Sequence, residues 1–395
     1  MERGVIITLD NGTLGMSQPT EDGIFGMILF GNLPPQTESS PTYPTAIYST
    51  KDAEDLGITE ANDSLSSVDT HFQIKSFYSF AENTGRKLWI SVIENPTTLA
   101  AVFGDNNSPA TKIIEAAQGE ISMLFVGGFR GAEYEQAMTY SGGIDSQTMP
   151  AVIAAHNLAN SYALKIQPFR VIIDGYALNN ANLLTNLNTM TYNRVGIYIG
   201  TNSSNAKNSQ VGLLAGRLAY TPVNESAGWV AKGNVPITEA YLTNKVAIEK
   251  APYINDIIDK GYITFQKYPT KYGYFFSNPT MATGFVDDYR TLTNARAIDK
   301  AFKLAYNTFV NYVNGKLYVT AKGTINIMQI KAMEADIENV INLQMIAKGE
   351  CSFVKCIIDP TQKVLSTNQL NIGLKIIPTA TLELLKVKLG FAQSI

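Results

Sequence analysis

Four short apolar runs, each preceded by a helix-like stretch, constrain this chain more than any other feature. They are Lys87-Leu-Trp-Ile-Ser-Val-Ile93, Ser122-Met-Leu-Phe-Val-Gly127, Phe169-Arg-Val-Ile-Ile-Asp174 and Arg194-Val-Gly-Ile-Tyr-Ile-Gly200. All are near-continuously apolar rather than alternating. A strand apolar on both sides must be covered on both sides, which points to a mostly parallel sheet with crossover helices. Spacing predicts those helices near 66–82, at 109–118, at 149–166 and around 179–188. Ser108-Pro109 opens the second of them. An earlier glycine-punctuated run, Gly23-Ile-Phe-Gly-Met-Ile-Leu-Phe-Gly31, supplies one more strand. A loop with Pro34, Pro35, Pro41 and Pro44 follows, then a short strand at Thr45–Tyr48. Next comes a brief helix that Ser49 or Thr50 can cap and Gly57 can end.

The two ends of the chain carry a different period. Val5, Ile7 and Leu9 alternate with Ile6, Thr8 and Asp10, and Asn11-Gly12 closes the run with a turn. At the other end Leu370, Ile372, Leu374 and Ile376 alternate until Pro378, which is expected to stop the strand because it has no N–H. Leu385, Val387, Leu389 and Phe391 then alternate with Lys386, Lys388 and Gly390. A period of two puts each apolar set on one strand face. Chain ends fray unless something holds them. The terminal strands therefore either pair within their own chain or are donated to neighbouring subunits, where strand addition offers main-chain bonds and side-chain pockets.

Between these parts, a helix near 207–219 leads into an irregular stretch, 223–260. Residues 262–277 are dense in aromatics and read as a hairpin. Helices follow at about 294–313 and 325–346, then a strand at 351–358. The fold class is thus α/β plus α+β: an N-terminal arm, a mostly parallel α/β sheet domain covered by helices, and a C-terminal α+β domain with an extended terminal β-arm. The expected division is 1–20 N-terminal arm and linker, 21–222 α/β domain, 223–260 irregular connection, 261–377 C-terminal α+β domain and 378–395 C-terminal β-arm.

Composition narrows the function. The 395 residues suffice for two or three cores. Charged residues are 16%, below the usual ~25%, which suits a surface buried against partners. A net charge of −3 gives no basic footprint for nucleic acid. The longest apolar run, Ile24–Phe30, is too short to cross a bilayer. The start, Met1-Glu-Arg-Gly4, lacks the form of a signal peptide. Two cysteines, Cys351 and Cys356, make no disulfide framework, so a reducing cytoplasm is the expected place of synthesis.

One motif invites chemistry. Ser141-Gly-Gly-Ile-Asp-Ser146 matches the SGGxDS loop of ATP pyrophosphatases, which cradles pyrophosphate with backbone N–H groups at a helix N-terminus. That loop should spring from a buried strand, whereas Gly131–Tyr140 is polar. The other reading is a glycine turn with Asp145 or Ser146 capping the next helix. His71 and His156 lack a second histidine at ligand spacing, and the cysteines lack a histidine partner, so no metal site is expected. Gly127-Gly128 follows a strand without a G-x-G-x-x-G pattern. Asp174 ends a strand but has no partner nucleophile or base. The aromatics of 262–276 read as core or interface rather than a base-stacking platform, since few cations accompany them. No enzyme, cofactor or metal follows from these residues.

Taken in order, the chain resembles the contractile tail sheath proteins of bacteriophages and related injection systems. The residues that carry this are Phe25–Gly31, the proline loop and Ala46-Ile-Tyr-Ser-Thr-Lys-Asp-Ala-Glu-Asp-Leu-Gly57; Ala215-Gly-Arg-Leu-Ala219 followed by Gly228-Trp229; and Leu374-Lys-Ile-Ile-Pro378 with Leu385-Lys-Val-Lys-Leu389. The family's W-R-Y-I-x-V-R-R stretch is not evident; Arg290-Thr-Leu-Thr-Asn-Ala-Arg296 stands in its place, a mark of a divergent branch.

The resemblance implies a non-enzymatic homo-oligomer of stacked hexameric rings around an inner tail tube protein, with baseplate and tail-terminator proteins at its ends. It implies contraction that drives the tube through an envelope, in a virion tail or injection particle assembled in a bacterial cytoplasm. It implies exchanged terminal strands, here Val5, Ile7 and Leu9, and Leu385, Val387, Leu389 and Phe391. Hinges are expected at Asp10–Gln18, with Gly12 and Gly15, and at Pro378–Thr381. Direct nucleic-acid binding and membrane insertion are not expected. The competing readings are an adenylating enzyme of ATP-pyrophosphatase type at Ser141–Ser146 and a non-contractile shell or pilus-like subunit.

Overall fold

The computed structural model describes residues 21–31, 43–94, 98–104 and 107–387. A six-stranded sheet contains β1 (Phe25–Phe30), β2 (Thr45–Ile47), β3 (Leu88–Ile93), β4 (Met123–Gly127), β5 (Arg170–Asp174) and β6 (Val195–Tyr198). Its order is β2-β3-β1-β4-β5-β6. All neighbours are parallel except β2, which runs antiparallel to β3 at the edge. The four apolar runs are thus the strands expected, and β1 lies between two of them, with Phe25 opposite both Leu88 and Met123.

Helices cover both faces. They are α1 (Thr50–Asp55), α2 (Glu60–Ser66), α3 (Thr70–Phe77), α4 (Pro109–Ala116), α5 (Thr148–Leu164) and α6 (Val211–Tyr220). A Cβ on Gly26 would lie 3.5 Å from Ile113 of α4, whereas one on Gly127 would lie 3.0 Å from Val211 of α6. Gly26 pairs with Leu124, three residues from Gly127, so the strand period puts the two glycines on opposite faces. Gly212 and Gly216, four apart on α6, let that helix lie directly on the backbone of α3 at Gln73 and Phe77.

Two predicted helices take a different form. The segment near 66–82 breaks at Ser67, which adopts a left-handed conformation (φ 51°), and α3 restarts at Thr70. The Asp63 carboxylate accepts bonds from the His71 and Phe72 amides, capping the restart from the preceding helix. The segment around 179–188 becomes two 3-10 turns, Ala181–Leu183 and Leu187–Thr189. Asn180 and Asn186 each accept from the amide two residues on, a local bond that competes with an α-helix. Elsewhere Ser49 and Ser108 cap α1 and α4 as their sequence suggests.

The stretch 223–260 holds only short helical turns and the helix Ile254–Asp259, yet Val235, Leu242, Ile248 and Ile257 are buried in the same core as the sheet. The aromatic hairpin shrinks to two pairs, Phe265–Gln266 against Phe275–Phe276. A second, smaller core begins on α7 (Leu292–Phe309) and includes α8 (Ile327–Gln344), β7 (Cys351–Ile358) and β8 (Ile372–Pro378). Ile330, Met333, Ile337 and Ile341 of α8 face it at helical spacing. β7 and β8 form an antiparallel hairpin whose inner face carries Val354, Cys356 and Ile358 opposite Ile376, Leu374 and Ile372. The cores are tied by a fork: Arg170 of β5 donates from Nε to Asp299 Oδ2 at 2.6 Å and from Nη2 to Oδ1 at 2.8 Å.

Candidate interaction surface

The first place to look for chemistry is the carboxyl edge of the parallel sheet. In open α/β sheets ligands bind where the strand order reverses, here between β1 and β4. This chain fills that position with its own side chains. Asp69, just before α3, accepts from the Phe129 amide at 2.8 Å, from Gln73 at 2.7 Å and from Asn208 at 2.6 Å. Gly128, at φ 126°, brings the chain close to Phe30 and Asp69. Asp174, at the end of β5, accepts from the Ser209 amide at 2.7 Å, while its Oδ2 has no partner among the described residues. Burial pushes both carboxyls up, Asp174 well above the aspartate range. Arg130 beside them is engaged by Asp145 at 3.1 Å and Gln147 at 3.0 Å and stacks on Tyr134. An edge lined by the buried Asp174, the part-buried Asp69 and an occupied guanidinium is the reverse of a phosphate cradle.

The glycine motif is a turn. Tyr140–Ser141 pairs with Ile144–Asp145, and Gly142 and Gly143 sit between them at φ 57° and 80°. A two-residue hairpin loop demands positive φ there, which glycine adopts without strain. The turn is packed over: a Cβ at either glycine would collide with residues 180–185, and the Gly143 carbonyl accepts from the Asn179 amide. Asp145 is spent on Arg130 and Tyr134. The pyrophosphate-loop reading therefore has no geometry to stand on.

The remaining candidates are structural. His71 faces Glu54 at 3.2 Å, and His156 faces Asn160 at 2.8 Å and the Tyr192 ring. Cys351 and Cys356 are free thiols buried under the hairpin. Among the described residues no group of three or more His, Cys, Asp or Glu side chains is placed to hold a metal. Tyr262, Phe265 and Phe276 are buried, and the last two rings stack at 5.2 Å. Among the described residues no helix is long and apolar enough to cross a membrane.

The second core leaves a strand edge and an apolar segment uncovered among the described residues. Its hairpin has two strands and no third among the described residues. The outer face shows Phe353 and Ile377 side by side, both exposed, next to Lys355 opposite Lys375. β8 stops at Pro378, which is the last residue of the strand and pairs with Cys351. Beyond it, residues 379–387 form no strand, so the predicted strand 385–391 is absent over its described part. A strand is made by its ladder, and no described residue lies alongside to supply one. Leu382, Leu384, Leu385 and Val387 stand in solvent, the last two 74% and 83% exposed. Leu389, Phe391, Val5, Ile7, Leu9, Gly12 and Gly15 lie outside the described residues. Thr379 is held by Asn224 at 3.2 Å, and Glu383 is held against the first core by Asn278 at 2.6 Å.

Two residues of this region escaped the sequence reading. Glu334 and Glu338 of α8 reach β7 and accept from the amides of Ile358 at 2.9 Å and Cys356 at 2.8 Å. Their spacing of four, flanking the apolar stripe of α8, is the only trace they leave in the sequence.

A family model described as DUF2586, N-terminal domain, matches residues 3–280, and one described as DUF2586, C-terminal domain, matches residues 288–395. No curated protein sequence matches the chain. Solved structures do match in fold over nearly the full length. The helical sheath of the anti-feeding prophage in its contracted state is 14% identical with a TM-score of 0.62, covering 99% of each chain. A chain of the same prophage's six-fold symmetrised baseplate is 15% identical with a TM-score of 0.63, covering 100% of this chain and 99% of that one. The contracted sheath complex of the extracellular contractile injection system PVC is 12% identical with a TM-score of 0.58, covering 100% and 98%. At these identities the likeness is one of fold: mixed α/β, with a parallel-rich sheet and the architecture of contractile sheath proteins.

Proposed function

The chain belongs to the DUF2586 family, and we propose that it is the structural subunit of a contractile sheath. In this reading copies stack as six-fold rings around an inner tube protein, between a baseplate and a terminator, and contraction drives the tube through a cell envelope. The particle is a phage tail or a related injection machine. The role is mechanical, not catalytic.

The observation that carries this is the exposed segment Leu382–Val387 beside a hairpin of only two strands. An extended segment with four large apolar side chains in water gains by being covered, at about 1.5–3 kcal/mol for each side chain fully buried. A hairpin of two strands is marginal alone and gains from a third. The simplest arrangement that answers both needs is exchange between copies: Leu385, Val387, Leu389 and Phe391 from one, Val5, Ile7 and Leu9 from another. Gly12, Gly15 and Pro378 then serve as the joints that let the arms re-aim while staying attached. The full-length fold match to sheath chains supports the same reading.

The test is negative-stain electron microscopy of the purified protein at rising concentration, with a variant lacking residues 382–395 in parallel. Hollow tubes or rings from the full chain and none from the truncation are the expected result. Monodisperse monomers from both would remove strand exchange as the driver of assembly.

A further inference from the structure

The hairpin has two edges, and they are not equivalent. In an antiparallel pair, successive residues of one strand point their N–H and C=O alternately at the partner and away from it. Cys356 and Ile358 give their amides to Glu338 and Glu334, so these two point away from β8, and Phe353, Lys355 and Ile357 point towards it. The register then fixes the outer edge of β8. Ile372, Leu374 and Ile376 stand opposite Ile358, Cys356 and Val354, so their N–H groups point outward. No described residue accepts from them. Pro378 continues the same outward series, and a strand tolerates proline only where the missing N–H faces an edge.

The two edges are therefore in opposite states. The β7 edge is closed by carboxylates that are themselves held: Lys331 reaches Glu334 at 2.6 Å and Lys355 reaches Glu338 at 3.0 Å. Desolvation works to raise both carboxyls. At Glu334 the bonds from Lys331 and the Ile358 amide outweigh it, and at Glu338 those from the Cys356 amide and Lys355, so both stay below the glutamate range. A strand approaching β7 would have to strip two amides from ionised partners and set its own carbonyls against those carboxylates. A strand approaching β8 meets free donors. The chain's own C-terminal segment does not take that place, because Glu383 is held by Asn278 on the first core.

We infer that Glu334 and Glu338 make strand addition one-sided: they seal β7, so that the extended terminal segment of a second copy adds to the outer edge of β8 at Ile372, Leu374 and Ile376. This rests on the assembly reading for its occupant, but not for its edge. Unprotected edges template wrong pairings, and charged side chains are a recognised way to blunt them. One sealed edge gives an assembly a single direction of growth from each hairpin.

Residue-resolved amide hydrogen exchange on the full-length protein tests the two parts separately. In the monomer the amides of Cys356 and Ile358 exchange about 100-fold or more slower than those of Ile372, Leu374 and Ile376. In the polymer the three β8 amides gain protection of that order and the β7 amides do not change. Glu334→Gln with Glu338→Gln, checked for folding by its melting curve, speeds exchange at Cys356 and Ile358 and turns ordered assembly into irregular aggregates. Protection gained at β7 instead of β8, or ordered polymers at normal yield from the double variant, would overturn the inference. If no polymer forms at any concentration, the assembly reading fails, and the monomer pattern alone decides the edge assignment: fast exchange at Cys356 and Ile358 overturns it.

Discussion

The two cores of this protein treat their unsatisfied edges in opposite ways. The carboxyl edge of the parallel sheet, where related architectures leave a crevice, is closed from within by Asp69, Asp174 and Arg130 and their bonds to Phe129, Ser209 and Asp145. The hairpin of the second core keeps one strand edge open and sends out an exposed apolar segment beside it. The first core is finished by its own chain. In the proposed reading the second is finished by another copy. On that reading the contrast places function at the open edge of the smaller core, not in the crevice of the larger one.

The largest effect that sharpens the contrast is loss of the C-terminal segment. Deleting 382–395 should abolish polymers while leaving the monomer's circular dichroism and melting temperature nearly unchanged, because the described part of that segment is exposed. A melting temperature that falls with the deletion would mean the segment completes its own subunit.

Next is the tie between the cores. Asp299→Ala leaves the buried Arg170 guanidinium without its carboxylate and should cost about 3–5 kcal/mol, read by denaturant titration. A single transition that splits into two would show that the fork couples the cores.

Within the smaller core, Ile337→Ala removes a fully buried side chain of α8 and should cost about 2–5 kcal/mol. The loss should appear at the β7 and β8 amides and not in the parallel sheet. Equal loss of protection in both cores would mean that the two unfold as one.

The closed edge makes a pH prediction. Asp174 is raised by burial, so between the ordinary aspartate range and its folded value the native state holds a proton that the unfolded state has released. Stability then falls as pH rises through that window. Asp174→Asn should flatten this slope and melt higher than the parent at pH 8. An unchanged slope would mean that the carboxyl is ionised in the fold. The smallest effect belongs to the exposed pair Lys51–Asp55: Lys51→Ala should change stability by less than about 0.5 kcal/mol.

Much of this was determined by the sequence alone. Near-continuous apolar runs demand cover on both faces, so the parallel sheet and its helices were legible, as were the caps at Ser49 and Ser108 and the inward face of α8. The alternation of Leu370–Ile376 gave the hairpin strand, and the apolar chain end gave a segment in need of a partner. These are local signals, written in spacing and period. What only the tertiary structure decided depends on residues far apart in the chain. Asn180 and Asn186 turned a helical spacing into 3-10 turns. Residues 180–185 closed over Gly142 and Gly143 and made a turn of a phosphate-like motif. Pro378 takes the last place in the strand it ends, with its missing N–H on the outward side. Above all, the closed edge of β7 rests on Glu334 and Glu338, which reach their amides some twenty residues on. A hydrogen bond needs two groups within about 3 Å, and no pattern along the chain records which carboxylate will arrive at which amide.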